Sequence, residues 1–215
     1  MRIAIRHLPR LIVALSLASL AGCSVLPKAE SPDIYRLPST ALPHAEAGAV
    51  NWSLRIDTPQ ADRAVDSVRI AVLPQGDVVS VYQGARWSDR VPTLLRNRLL
   101  EAFRDDGRIA ALSSDDTSLQ ADYALNGDLT AFQSEYRNGQ PVIVVRYNAR
   151  LVRNSGMRIV ATHRFEISQP VSGTAVPQVV AAFGQASDAL ANQLVTWTLQ
   201  QRTELAGAAG HNPPP

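Results

Sequence analysis

Asp122-Tyr123-Ala124-Leu125-Asn126-Gly127-Asp128-Leu129-Thr130-Ala131-Phe132 opens the stretch that decides the fold. Tyr123, Leu125, Leu129 and Ala131 share one face of an extended chain, and Asn126, Asp128 and Thr130 share the other, because successive side chains of a strand point to opposite sides. Asn138-Gly139 follows. Both residues tolerate positive φ, which a tight hairpin turn requires. Ile143, Val145, Tyr147, Ala149 and Leu151 then alternate with Val144, Arg146, Asn148 and Arg150. Beyond the turn residues Asn154-Ser155-Gly156, Ile159, Ala161, His163, Phe165 and Ile167 alternate with Val160, Thr162, Arg164 and Glu166. The pattern predicts three antiparallel strands in a meander, apolar on one face and polar on the other.

A helix flanks this meander on each side. Trp87, Val91, Leu94, Leu95, Leu99, Ala102 and Phe103 recur at spacings of three and four, the period of one helix face. Ser88 or Asp89 can cap its start and Gly107 its end, while Arg96, Asn97, Glu101 and Arg104 take the wet side. Val176, Val179, Val180, Phe183, Leu190, Leu194 and Trp197 form the apolar face of a second helix beginning near Thr174. Upstream, Trp52, Leu54 and Ile56, then Val68, Ile70 and Val72, alternate as strands. Shorter strands are expected at Asp77–Tyr82 and Ile109–Leu112. The expected fold is α+β: a two-layer domain in which two amphipathic helices cover one face of a mostly antiparallel sheet.

The amino terminus has a different character. Arg2, Arg6 and Arg10 precede the apolar run Leu11–Leu20, and Leu20-Ala21-Gly22-Cys23 closes it with the only cysteine of the chain. A basic start, a short apolar stretch and small residues before a cleavage point describe a secretory signal peptide; the run is too short to span a bilayer. The quartet Leu20, Ala21, Gly22, Cys23 resembles the lipobox of bacterial lipoproteins, which implies cleavage before Cys23 and lipid on its thiol. The organisation expected is a signal peptide over 1–22, a lipidated end and flexible tether over 23–50 punctuated by Pro27, Pro32, Pro38 and Pro43, a domain over 51–202 and a disordered tail over 203–215. Tyr35 and Leu37 interrupt the tether and are expected to dock on the edge of the body.

Charge and composition narrow the function. The whole chain has 21 basic and 19 acidic side chains; removing residues 1–22 takes away three basic groups and no acid, leaving a net charge of −1. No basic excess remains to neutralise nucleic acid phosphates. No cysteine follows Cys23, so the domain holds no disulfide and no thiolate metal site. Of the later histidines, His44 lies in the tether, His211 in the tail, and His163 on the apolar face of its strand, a rim or core position. No histidine pair has metal-ligand spacing, and neither a nucleophile elbow nor a phosphate-cradling glycine loop is present. Asp105-Asp106 and Asp115-Asp116 read as solvated turn residues. Arg146, Arg150 and Arg164 share the polar sheet face with Asp128 and Glu166, where cross-strand pairing and a docking role for a partner both fit.

The order of several short motifs resembles one family. Tyr35-Arg36-Leu37 in the tether, Tyr82 followed by Arg86-Trp87-Ser88-Asp89-Arg90-Val91-Pro92, Asp122-Tyr123-Ala124-Leu125 opening a long strand, Phe132 within it and Trp197 near the end of the last helix are similar to the ABC-type transport auxiliary lipoproteins, which include the lipoprotein of the paraquat-inducible type of system. The resemblance implies a non-enzymatic component without a cofactor. Its partners would be a periplasm-spanning mammalian-cell-entry (MCE) domain protein and its ABC permease and ATPase. Ser24 after Cys23, rather than Asp, implies an outer-membrane address facing the periplasm. Tyr82, Arg86, Arg146, Arg150 and Arg164 are the candidate partner-binding residues, and a homo-oligomer is compatible with such a role. The competing readings are a periplasmic hydrolase and a structural lipoprotein of envelope assembly.

Overall fold

In a computed structural model, residues 31–46, 48–117 and 119–201 are described. The signal peptide, the quartet Leu20–Cys23 and the tail 203–215 lie outside them. The chain divides into two packing units after Ser31, and the unit beginning at Pro32 carries eight strands and two helices: β1 (Asp33–Tyr35), β2 (Leu54–Ile56), β3 (Arg69–Leu73), β4 (Ser80–Trp87), α1 (Val91–Asp106), β5 (Leu112–Ser114), β6 (Tyr123–Arg137), β7 (Gln140–Arg153), β8 (Arg158–Pro170) and α2 (Val176–Gln200).

The meander β6–β7–β8 forms as its alternation dictates, with antiparallel ladders running nearly the full length of each strand. Asn138 and Gly139 adopt φ of 52° and 75°, the two positive angles that a tight hairpin needs. Gly127, inside β6, has a packing reason to lack a side chain. A Cβ there would stand 2.8 Å from the ring of Tyr147 and closer still to the Asn148 carbonyl oxygen.

Two bulges reset the alternation. One lies between Leu129 and Ala131 and pairs Ala131 with Arg146, so Phe132 rather than Ala131 points with Val145 into the core. The other lies between Leu151 and Val152 and pairs Ile159 with Val152. Ile159, assigned by alternation to the apolar face, therefore sits on the outer face and is exposed. An extra residue in one strand inverts every side chain beyond it.

The sheet is mixed, not mostly antiparallel. β1 runs parallel to β4, β2 parallel to both β5 and β6, and β3 parallel to β6. β1, β2, β3 and β5 have three to five residues, so periodicity carries no trace of their direction. The expected strand at Asp77–Tyr82 begins instead at Ser80, because Val78 and Val79 occupy the exposed end of the β3–β4 connection. Likewise the strand expected at Ile109–Leu112 becomes Leu112–Ser114, with Ile109 making a lone bridge to Val50.

Both helices lie on the inner face and pack on each other. α1 starts at Val91 with Arg90 as N-cap and ends at Gly107, whose φ of 78° lets its amide return to the Phe103 carbonyl. α2 starts at Val176, where the Gln178 side chain accepts from the Ala175 amide. Trp87 belongs to β4 rather than to α1. It is 1% exposed and meets Phe132 and Phe183 edge-on at centroid distances of 6.2 and 5.3 Å. Trp197 is only half-buried, leaning on Phe165 and His163 at the rim of the sheet.

The folded body begins at Asp33, not at Asn51. β1 adds a strand beside β4, and the chain then runs over both helices as a strap. Tyr35, Leu37 and Leu42 pack against the core. The Pro38 carbonyl oxygen passes so close to Gly184 of α2 that a Cβ there would lie 2.8 Å from it. The docking expected of Tyr35 and Leu37 extends to the whole segment through Ala45.

Candidate functional site

The strap is held by a polar clamp built on α1 and α2. Arg98 lies seven residues beyond Val91 and three beyond Leu95, on the apolar stripe of α1, and its side chain is 2% exposed. Its Nε donates to Asp188 of α2 at 2.6 Å and its second guanidinium nitrogen to the Thr40 carbonyl at 2.8 Å. The Thr40 amide in turn donates to the other Asp188 oxygen at 3.0 Å. A charge taken from water needs such directed partners. Further along, Asp105 accepts the Leu42 amide at 3.1 Å, and the amide of Ala45 donates to the Asp106 carbonyl at 3.0 Å. His44 contacts the Asp105 carbonyl through Nδ1 at 2.9 Å.

Asp105 and Asp106 are therefore latches rather than solvated turn residues, whereas Asp115 and Asp116 are exposed in a turn as expected, with Asp115 also latching the Thr58 segment. Asp106 is buried and paired with Arg108 at 2.7 Å. Asp115 accepts the Thr58 amide at 2.9 Å and its hydroxyl at 3.1 Å, and pairs with Arg96 at 2.9 Å. Burial pushes the Asp115 carboxyl up, but Thr58 and Arg96 outweigh it and hold the group below its ordinary value. Arg96 is consequently buried, although its helical position places it on the wet side.

On the outer face the candidate arginines come together and are paired. Arg150 reaches Asp128 at 2.5 and 3.2 Å and Asn126 at 3.2 Å. Asp128 raises the pKa of the Arg150 guanidinium further. Arg146 stands 3.3 Å from Glu166 and 3.7 Å from Glu135, and Arg164 stands 3.5 Å from Glu166. Burial raises the Glu135 carboxyl, while Gln133, Arg137 and Arg146 pull it down by more, so it titrates below its usual range.

Tyr82 and Arg86 do not join this group. The Tyr82 hydroxyl donates to Ser134 at 3.1 Å inside the sheet, and Arg86 is exposed on β4 beside β1. Beside Arg150 lies an open cleft of about 510 Å³, floored by Arg55, Asp57 and Asn126 and lipped by Val152, Met157 and Ile159. The bulge in β8 supplies that apolar lip.

Sequence reasoning missed the clamp. The available signal was a charged residue, Arg98, on the apolar stripe of α1, matched by Asp188 three residues before the buried Ala191 of α2. Among the described residues no group of three or more potential metal ligands converges, and no helix is long and apolar enough to cross a membrane.

Comparison with known proteins agrees with this architecture. The protein XCC0632 from Xanthomonas campestris has a crystal structure that superposes with a TM-score of 0.74 at 34% identity, covering 80% of this chain and 99% of that one. A further crystal structure, of an uncharacterised protein at 13% identity, shares the fold with a TM-score of 0.61 and covers 79% of this chain and 99% of its own. The uncharacterised protein bll6063 of Bradyrhizobium diazoefficiens is 30% identical over 165 residues, which are 76% of this chain and 43% of that protein; the chain thus spans under half the length of this relative. The sequence model of the family described as the ABC-type transport auxiliary lipoprotein component matches residues 35–195. That match begins at the last residue of β1, spans the strap, α1, most of α2 and the whole sheet from β2 onward, and makes this chain a member of the ABC-type transport auxiliary lipoprotein family.

Proposed function

We propose that this protein is a periplasmic lipoprotein anchored in the outer membrane by lipid on Cys23, serving as a non-enzymatic auxiliary component of an ABC/MCE-type intermembrane lipid transport system. Membership of the transport auxiliary family over residues 35–195 carries this reading. The lipobox Leu20-Ala21-Gly22-Cys23 and Ser24 support the anchor and its address. Several acyl chains on one cysteine hold a protein stably, since each buried CH₂ contributes about 0.8 kcal/mol and one chain alone binds marginally.

The partner-binding role falls to the sheet's outer face, with Arg146, Arg150 and Arg164, and to Arg86 on β4. The strap and the helices occupy the inner face with contacts of their own, which favours the outer face as the docking side. The ion pairs there are partly exposed, and exposed pairs exchange partners at little cost.

The test is affinity purification of the full lipoprotein from envelopes under mild detergent. The reading expects the MCE-domain protein, the permease and the ATPase in the eluate, and labelled palmitate on the parent but not on Cys23→Ala. Palmitate entering that variant refutes the anchor, and an eluate without transport components refutes the role.

A further inference from the structure

Apart from Ile34 on β1, the large apolar side chains left exposed among the described residues lie at the two ends of the sheet. At one end stand Leu119, Met157 and Ile159, before β6 and around the β7–β8 turn. At the other stand Val78, Val79 and Tyr136, exposed by 63%, 54% and 37%. Register brings these three together. Val72 pairs with Ser80 across the β3–β4 connection, and Leu73 pairs with Glu135 beside the β6–β7 turn. Gly76, Asp77 and Tyr136 accordingly line one cleft. Every residue from Pro74 to Ser80 is exposed, and Val78 and Val79 stay open to solvent. Apolar patches left open in this way mark contacts with a partner or a membrane.

The path of the chain separates the two ends. β1 runs parallel to β4 with Asp33 beside Ala85, so its amino-terminal end points toward Ser80 and the Val78–Val79 loop. Cys23 precedes Asp33 by 10 residues, a span of at most about 35 Å. Ser80 lies five residues before Ala85 on β4, about 17 Å along the strand. A lipid on Cys23 reaches that end with chain to spare. The one cation within 74–79 and 136–141 is Arg137, and it pairs with Glu135 at 3.0 Å. Attraction to anionic lipid therefore contributes little there, and the contact on offer is apolar. We propose that the Val78–Val79 loop and Tyr136 seat this end of the domain in the bilayer that holds the Cys23 acyl chains, with the valines in the acyl region and the tyrosine at headgroup level. Removing apolar side chains from water drives the insertion, and tyrosine is a residue of membrane interfaces. The inference rests on the Cys23 anchor of the transport reading and adds an orientation, with the Met157 end turned away from the membrane.

The test uses the absence of cysteine beyond Cys23. With Cys23 lipidated, an introduced cysteine is the single free thiol. The full lipoprotein carrying Val79→Cys or Met157→Cys is labelled with the environment-sensitive dye NBD. It is then added to preformed vesicles of phosphatidylethanolamine and phosphatidylglycerol that contain doxyl-labelled lipid. In protein that floats with the vesicles, the label at position 79 is expected to be quenched by the doxyl lipid and shielded several-fold from aqueous iodide relative to position 157. Adding Val78→Asp to the protein labelled at position 79 is expected to return iodide quenching to the level at position 157, with melting curves confirming the fold. Equal iodide quenching at the two positions in floating protein, or no effect of Val78→Asp, overturns this inference and leaves the anchor standing. Protein that does not float overturns the anchor and the inference together.

Discussion

The two sides of the sheet use the same chemistry, arginine against carboxylate, to opposite ends. On the helix side, Arg98 is 2% exposed and fixed by Asp188 and the Thr40 carbonyl. On the outer side, Arg150 is 32% exposed, and its partner Asp128 is 39% exposed. The first pair joins three segments distant in sequence, so losing it releases the strap. The second joins neighbouring strands already tied by a ladder, so losing it changes little besides surface charge. Burial decides which of two similar ion pairs is structural and which contributes little to the fold.

The contrast breaks most visibly at Trp87. Trp87→Ala removes the centre of the Phe132–Phe183 cluster and is expected to cost about 3–5 kcal/mol, read by chemical denaturation, whereas Trp197→Ala, half-buried at the rim, should cost less than half as much. Arg98→Ala comes next, at about 3 kcal/mol, because it leaves Asp188 and the Thr40 carbonyl without their donor. Replacing both ends, Arg98→Met with Asp188→Leu, should be milder than Arg98→Ala, since no unpaired charge stays behind.

Gly184→Ala sharpens the comparison by its sign. In the middle of a helix this change ordinarily stabilises by about 0.5–1 kcal/mol. Here the new methyl meets Pro38 of the strap, and the expected outcome is a net loss of about 1 kcal/mol. A gain in stability would mean that the strap does not cross α2 at this point. On the outer face, Arg150→Ala is expected to cost under about 1 kcal/mol.

Acid titration probes the carboxylate latches on both sides. Asp115 and Glu135 have folded-state values below their ordinary 3.8 and 4.5. A depressed carboxylate contributes stability that is fully present above its unfolded value and is lost as pH falls through the folded one. Stability should therefore begin to drop as pH passes below about 4.5. Thr58→Ala and Arg96→Met should each flatten that drop through Asp115, and melting between pH 6 and pH 2.5 measures it.

The meander was legible because β6, β7 and β8 are long enough for alternation to repeat, and the Asn138-Gly139 turn announces itself. α1 and α2 were legible for the same reason. The parallel strands were not, since Leu54–Ile56 or Leu112–Ser114 offers one alternation and no direction. The strap was misread because four prolines suggest an extended tether, and extended chain is also what a docked strap requires. Bulges at Leu129–Ala131 and Leu151–Val152 leave no mark in periodicity until a residue such as Ile159 turns out on the wrong side. At the candidate site, the grouping of Arg146, Arg150 and Arg164 followed from strand register. Their pairing partners and the Arg98 clamp required three dimensions.

The division of labour between the faces is tested most directly by partner capture. The full lipoprotein, parent or carrying Arg146→Glu with Arg150→Glu, is presented to the MCE-domain protein at several salt concentrations, with circular dichroism confirming the fold. The account predicts that the reversed protein stays folded and recovers less than a tenth of the partner, while Gly184→Ala, which perturbs only the strap side, recovers as much as the parent. Equal recovery by parent and reversed protein, or a loss confined to the strap variant, would contradict it and move the docking surface to the helix side.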